Sequence, residues 1–245
     1  MPGLVIENPR VLNLKHPYIS VKNENSVSFG GSQMWFGKPK NNRKGIDAFR
    51  QDNRIRCYGC GLVSAVDIFT YLKASSEGKD PEVLDRQQYM ENLREYDGGL
   101  FHTLYYMGIP GTKLARKLNK LFKKNGLKYK ADWGVAVYEL VAKLEEMLVN
   151  DIPATISVGP AFMKKDRLTL YKIKQKGHGV FEFIADDDTK DHYVTVTGMI
   201  IGDKNRMLEI SSWGRKYYID MDEYISFVDR NDNTLFSNIV YIKKI

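Results

Sequence analysis

Cysteine is scarce in this sequence: only Cys57 and Cys60 occur among its 245 residues, and they stand three positions apart. That scarcity excludes a disulfide between distant parts of the chain, and two cysteines supply only half of a structural zinc site. The four histidines show no zinc-ligand spacing to one another, so we expect neither a metal nor another cofactor. A redox role for the Cys-x-x-Cys pair stays open, although no thioredoxin-like βαβ pattern surrounds it.

Long hydrophobic runs are also missing. The first residues lack a basic segment followed by an apolar stretch, and no segment is long enough to span a membrane. We therefore expect no signal peptide, no membrane partner and a cytoplasmic location. The sequence does not indicate an oligomeric state.

Acidic residues are fewer than basic ones, which gives a net charge of +7 and an isoelectric point near 9.1. The region 113–124 carries six cations and no acid: Lys113, Arg116, Lys117, Lys120, Lys123 and Lys124. Such a region can bind nucleic acid, but no binding motif and no interleaved exposed aromatics accompany it. The sequence therefore favours a solvated helix face, and we do not expect a nucleic-acid partner.

The order of the predicted elements indicates an α+β fold. Residues 1–50 are rich in Asn, Gly, Lys and Ser, which predicts a loop-rich N-terminal arm. The following pattern predicts helices over 60–74, 81–96, 113–124 and 135–149. It then predicts strands over 152–159, 180–184, 193–201, 207–211, 216–219 and 238–242, with a short helix over 222–228. We expect one domain over 51–245, with a helical lobe over 51–150 and an antiparallel sheet lobe over 151–245.

The helix that begins near Cys60 is the first candidate for carrying chemistry. Its apolar residues form one wide stripe (Leu62, Ala65, Val66, Phe69 and Leu72), which predicts a central, buried helix. Unpaired N–H groups and the helix dipole at its N-terminus favour a thiolate on Cys60. Free cysteines also serve as small buried hydrophobes, so this stretch alone leaves both roles open.

A histidine at the start of a predicted strand supplies the second group. His192 follows Cys60 by 132 residues and precedes Tyr193-Val194-Thr195-Val196, which predicts a strand. Ser211-Ser212-Trp213-Gly214 ends the next strand. A histidine fixed at the end of a sheet is well placed to act as a base.

These three segments, in this order and spacing, resemble the papain-like cysteine peptidase superfamily, and most closely its bacterial C39-like members. The resemblance covers about residues 50–245, and the Cys-to-His separation lies within the family's window of ~130–150 residues. It implies a peptide or protein substrate, Cys60 as nucleophile and His192 as base, in a thiolate–imidazolium pair. It also implies that Trp213 shields the histidine, and that the Cys60 N–H supplies half of the oxyanion hole.

Two positions depart from the family pattern. Ser211 stands where the family has the Asn or Asp that orients the histidine; Asp191, Asp220 or another carboxylate not yet placed could replace it. Arg54 stands at the position of the family's oxyanion glutamine, which makes Asn53 and Gln51 the candidates for that role. These departures leave an alternative: a catalytically inactive papain-like fold that serves as a peptide- or protein-binding module.

Overall fold

The computed structural model describes residues 4–24, 26–37, 46–98, 108–159, 166–177, 179–231 and 235–245. The fold class is α+β, as the sequence predicts, and the large sheet is antiparallel. The α-helices are α1 (Ile46–Tyr58), α2 (Cys60–Ser76), α3 (Arg86–Tyr96), α4 (Gly111–Lys124), α5 (Leu140–Val149) and α6 (Met221–Arg230). Within the described residues, no single helix is long and apolar enough to cross a membrane.

Ten strands form the large sheet, and three more form a small one. Before residue 150 they are β1 (Leu4–Glu7), β2 (Arg10–Asn13), β3 (Ser20–Asn23), β4 (Ser26–Phe29), β5 (Leu84–Asp85) and β6 (Tyr129–Trp133). In the second half they are β7 (Ala154–Val158), β8 (Leu168–Gly177), β9 (Val180–Thr189), β10 (His192–Ile201), β11 (Arg206–Ser212), β12 (Arg215–Asp220) and β13 (Ile239–Lys244). The large sheet has the order β1-β9-β8-β12-β11-β10-β7-β13-β6, with β2 also paired to β10, and the small sheet has the order β4-β3-β5.

Helix α2 lies at the centre of the fold because its apolar face is wide enough to pack on several sides. Twelve of its 17 residues are buried, and its core side chains pack in one cluster with those of β7, β10 and β13. Buried hydroxyls fix its position: Ser64 Oγ lies 2.7 Å from Thr155 Oγ1 on β7 and 2.8 Å from Thr195 Oγ1 on β10. The N-terminal end of α2 therefore meets the start of β10.

The N-terminal segment differs from the loop-rich arm that its composition predicts. Four strands occur between residues 4 and 29; β1 and β2 pair with β9 and β10, while β3 and β4 build the small sheet. Helix α1 also runs across the predicted boundary at residue 50. Strands β1 and β2 take their partners from distant parts of the chain, so local composition does not reveal these two strands.

Several element boundaries also differ from the prediction. Helix α3 starts at Arg86 rather than 81 because Asp85, and not Asp80, accepts the Gln87 and Gln88 N–H groups. Helix α1 and strands β6 and β8 are absent from the prediction. Helix α1 is polar and packs on α3 through ion pairs, as in Arg94 Nε to Asp52 Oδ1 at 2.8 Å. Its sequence therefore lacks the apolar periodicity that predicts a helix.

Candidate active site

Cys60 occupies a sharp elbow between two helices. The axes of α1 and α2 differ by 84°, and Gly59 alone separates them. A Cβ atom at position 59 would lie 2.3 Å from the Ile55 carbonyl oxygen, so only glycine fits. No side chain caps α2, and its first backbone bond runs from Val63 N–H to the Gly59 carbonyl. Cys60 thus lies beside the unpaired N–H groups that the sequence analysis invokes.

His192 is the first residue of β10, where it pairs in register with Val158 of β7. Its side chain is buried, with Nε2 located 2.9 Å from Ser212 Oγ. The Trp213 indole stacks on the imidazole at a centroid distance of 4.6 Å and an interplanar angle of 20°. A hydroxyl at one edge and an indole on one face therefore fix the ring.

Cys60 and His192 line the same pocket, together with Trp213. The pocket holds about 230 Å³ of space, including open solvent at its mouth. Its other lining residues come from the N-terminal segment, α2, β10 and β11: Gly31, Gln33, Val63, Ser64, Asp67, Tyr193, Thr195, Ser211 and Ser212. Cys57, the other free cysteine, is exposed and does not line this pocket.

Burial keeps both reactive groups in their neutral forms. It raises the pKa of the Cys60 thiol, and it lowers the pKa of His192 to about 4. The backbone N–H groups of Tyr193, Gly61 and Cys60 itself lower the pKa of the thiol, but burial outweighs them. The pocket therefore holds a neutral thiol and a neutral imidazole, rather than the thiolate–imidazolium pair that the resemblance implies.

Ser211 lies in the pocket but does not contact the histidine. Its hydroxyl donates to the Phe29 carbonyl at 2.8 Å, and the neighbouring Ser212 takes the position beside His192. The reason is the close approach of the N-terminal segment: a Cβ atom on Gly30 would lie 2.1 Å from Ser211 Oγ. The prediction of Ser211 as the orienting residue is corrected to Ser212.

Neither carboxylate that could replace the orienting residue contacts the histidine. Asp191 is exposed at a positive φ of 52°, and it forms no hydrogen bond or ion pair with the residues that the structure describes. Its negative charge instead raises the pKa of Cys60, as a minor contribution beside burial. Asp220 caps α6 by accepting the Asp222 N–H at 2.9 Å.

The two predicted oxyanion donors have other partners. Gln51 Nε2 donates to the Arg94 carbonyl at 2.7 Å, and Asn53 Oδ1 accepts from Cys57 Sγ at 3.8 Å. Arg54 forms an ion pair with the buried Asp97. All three lie on α1 and are held by these partners, and none lines the pocket.

A different glutamine, Gln33, does line the pocket. It comes from a 3₁₀ turn, Gln33–Trp35, and only 7% of its surface is exposed. Its side-chain amide makes no hydrogen bond to any residue that the structure describes. Arg56 fixes the turn by donating to the Phe36 carbonyl at 2.8 Å. The local sequence could have suggested this turn, because Gly30-Gly31-Ser32 is a turn signal directly before Gln33.

A buried carboxylate joins this N-terminal turn to α2. Asp67 accepts hydrogen bonds from Tyr89 Oη at 2.5 Å, from the Gly31 N–H at 2.9 Å and from Tyr18 Oη at 3.4 Å. Burial raises its pKa to about 6 despite these three donors. Asp67 therefore positions the backbone two residues before Gln33.

Replacement of Asp67 by asparagine should change how stability depends on pH. The raised pKa of Asp67 stabilises the fold at low pH, and this contribution is lost as pH rises through about 6. One pKa unit corresponds to about 1.4 kcal/mol, so the loss is about 3 kcal/mol between pH 3.5 and 7.5. Urea unfolding at both pH values should show the free energy of unfolding falling by that much more in the wild type than in Asp67→Asn. Equal changes in the two proteins would contradict this role.

No family model, curated protein or solved structure matches the chain. Within the described part of the chain, no three His, Cys, Asp or Glu side chains lie together as metal ligands. The residues that line the pocket are therefore the basis for its chemistry.

Proposed function

We propose that the protein is a cysteine-dependent acyl-transfer enzyme with a papain-like site, and that it hydrolyses peptide or other amide bonds. One observation carries the proposal: Cys60 at the start of a buried helix and His192 at the start of a central strand line one pocket. A nucleophile and a base on rigid elements are the minimum that acyl transfer requires. Ser212 and Trp213 support the proposal because they restrict the imidazole to one orientation.

The mechanism uses the tautomer of His192 in which Nε2 carries the proton. When Nε2–H donates to Ser212 Oγ, the lone pair on Nδ1 is free to accept a proton. The pKa of about 4 keeps this nitrogen unprotonated at neutral pH. His192 therefore acts as a general base during the attack, rather than holding a preformed thiolate.

The reaction proceeds in two halves. Cys60 Sγ attacks the carbonyl carbon while its proton passes to His192 Nδ1, and the C=O electron pair moves to oxygen. The tetrahedral intermediate collapses, the C–N bond breaks, and the imidazolium returns the proton to the leaving amine. Water then attacks the thioester, with His192 taking a proton from it and returning it to the sulfur. The products are an acid and an amine, and the neutral pair is restored.

Two donors are available for the oxyanion. The Cys60 N–H lies at the unpaired N-terminus of α2, where the helix dipole also favours negative charge. The Gln33 amide lies in the same pocket and makes no hydrogen bond to the residues that the structure describes. We assign Gln33 the role that the sequence analysis gives to Gln51 or Asn53.

The pH dependence of acyl transfer tests this function. The low pKa of His192 keeps the base form available well below the ordinary histidine pKa of about 6.5, and the base is lost only as pH falls through about 4. Hydrolysis of a panel of fluorogenic esters and peptide amides should therefore be nearly constant between pH 5.5 and 7.5. Below pH 4 it should fall about tenfold per pH unit.

The control for this profile is circular dichroism at each pH, because loss of fold would imitate an acid limb. An acid limb near pH 6.5 in a folded protein would contradict the neutral pair. Absence of hydrolysis across the panel, with Cys60 unmodified, would contradict the proposed function.

A second candidate function is the binding of a peptide or protein without turnover. The raised pKa of Cys60 favours it, because a neutral buried thiol is a weak nucleophile. Under this alternative, a peptide would bind equally well to Cys60→Ala and to the wild type, and no acylated protein would form.

The location that best fits either function is a reducing compartment such as the cytoplasm. Both cysteines are free thiols, and acyl transfer requires Cys60 in that state.

A further inference from the structure

The exposed face of α4 carries an ordered row of positive charge. Its six cations, named here the basic stripe, are Lys113, Arg116, Lys117, Lys120, Lys123 and Lys124. Lys113, Lys117, Lys120 and Lys124 are spaced three or four residues apart, and Arg116 and Lys123 each stand next to one of them. The six side chains therefore share one face of the helix. The opposite face is fixed in the core through Leu114, Leu118, Leu121 and Phe122. The stripe is therefore rigid and not a mobile basic tail.

Among the described residues, these charges have no acidic partner. No member of the stripe forms an ion pair with any residue that the structure describes. Some lysines elsewhere are paired, as in Lys143 with Glu146 and Lys174 with Glu182, whereas others among the described residues stand singly on the surface. Burial lowers the pKa of Lys117, and the charges of Lys120, Lys113 and Arg116 lower it further. Like charges in this row thus repel one another without compensation.

The charge spacing of the stripe matches that of a nucleic-acid strand. At a rise of 1.5 Å per residue, Lys113 and Lys124 are separated by about 16 Å along the helix axis. Six cations over that length give roughly one charge per 3 Å, and one strand of duplex DNA presents a phosphate about every 3.4 Å of axis. A rigid basic face with this axial charge density can therefore lie along the phosphates of a duplex.

A membrane surface fits the stripe less well. Helices that lie in a membrane interface insert apolar side chains from the face that meets the lipid. The apolar side chains of α4 are buried in the protein core, Asn119 is bound to the Ala131 backbone of β6, and the exposed side has only the stripe and Thr112. Electrostatic contact with phosphates remains as the interaction that this face can make.

We propose that the basic stripe of α4 binds the phosphate backbone of duplex DNA without reading its sequence. The sequence pattern alone favours a solvated face. Three structural observations favour DNA binding instead: the rigid packing of α4, the absence of acidic partners among the described residues and the similar axial charge density. This proposal is independent of the chemistry proposed for Cys60.

Fluorescence anisotropy with a labelled 20-base-pair duplex tests the proposal. The binding constant should fall steeply with salt, because each phosphate contact contributes a slope of about −0.9 in log K against log salt concentration. The variant Arg116→Gln/Lys120→Gln/Lys124→Gln should bind at least about tenfold more weakly at 50 mM salt and lose about 2–3 units of slope. These three side chains are exposed, so thermal melting should be unchanged or slightly raised.

A matched variant separates local contact from net charge. Lys143→Gln/Lys174→Gln/Lys216→Gln removes the same charge from lysines that are already paired with Glu146, Glu182 and Glu209. It should lose less than about threefold in affinity. Equal losses in the two variants would overturn the proposal, as would no binding to the duplex at 20 mM salt. Tighter, stripe-dependent binding to phosphatidylserine vesicles than to DNA would also overturn it, in favour of a membrane surface.

Discussion

Replacing His192 with alanine is expected to slow the acylation of Cys60 by an activated ester by about 10²–10⁴-fold, which is the contribution of a positioned general base. The loss should be large because burial raises the pKa of Cys60, so little thiolate forms without the imidazole. Stopped-flow release of the ester's leaving group measures the rate directly. His16→Ala is the matched control, since His16 is paired with Asp80 away from the pocket.

The outcome separates catalysis from structural damage. His192→Ala also removes the ring that stacks on Trp213, so urea unfolding of the variant is needed beside the kinetics. A folded variant that acylates at the wild-type rate would contradict the role of His192. A folded variant that acylates slowly at neutral pH and recovers its rate as pH rises would support the general-base role, because hydroxide then removes the thiol proton.

The second large effect is expected at Gln33. Replacing it with alanine should slow acyl transfer by about 10²–10³-fold, the cost of losing one oxyanion donor. Stability should change little, because the Gln33 amide makes no hydrogen bond to the described residues. Gln51→Ala and Asn53→Ala are the matched controls. Both amides lie on α1 outside the pocket, so neither change should alter the rate of acyl transfer.

A second measurement tests whether Gln33 acts on the oxyanion in particular. Alkylation of Cys60 by iodoacetamide forms no oxyanion, so Gln33→Ala should leave that rate within about twofold of the wild type. Equal losses in alkylation and acyl transfer would assign Gln33 to pocket shape instead. A normal rate of acyl transfer in the variant would return the oxyanion role to the Cys60 N–H alone.

The local sequence is informative where one element carries its own pattern. The apolar stripe of α2 and the alternation in β10 and β11 predict these elements within a few residues. The same patterns select Cys60, His192 and Trp213, and the structure brings these three side chains to one pocket. Each is fixed by its position at an element end, which local patterns can indicate.

The remaining site residues depend on contacts between distant segments. Gln33 reaches the pocket because Asp67 accepts the Gly31 N–H, and Gln33 and Asp67 are 34 positions apart in the chain. Ser212 replaces Ser211 because the Phe29 carbonyl takes the Ser211 hydroxyl. No periodicity within either segment carries that information. Buried hydrogen bonds across the fold decide it.

The N-terminal segment shows the same limit at the level of the fold. Its composition predicts loops, but β1 and β2 are completed by hydrogen bonds to β9 and β10, more than 170 residues later. Through the Gly30–Gln33 turn this segment then becomes part of the pocket wall. Its role is therefore to build the candidate site and not merely to cover it.

The central claim is that Cys60 is an acylated nucleophile, and mass spectrometry of the acid-quenched protein tests it most directly. After brief incubation with an activated ester, peptide mapping should find one acyl group, on Cys60, that disappears on longer incubation as water cleaves the thioester. Cys57→Ser should give the same result, and Cys60→Ser should lose the rapidly formed thioester. An acyl group on Cys57 or on surface lysines, with Cys60 unmodified, would contradict the account.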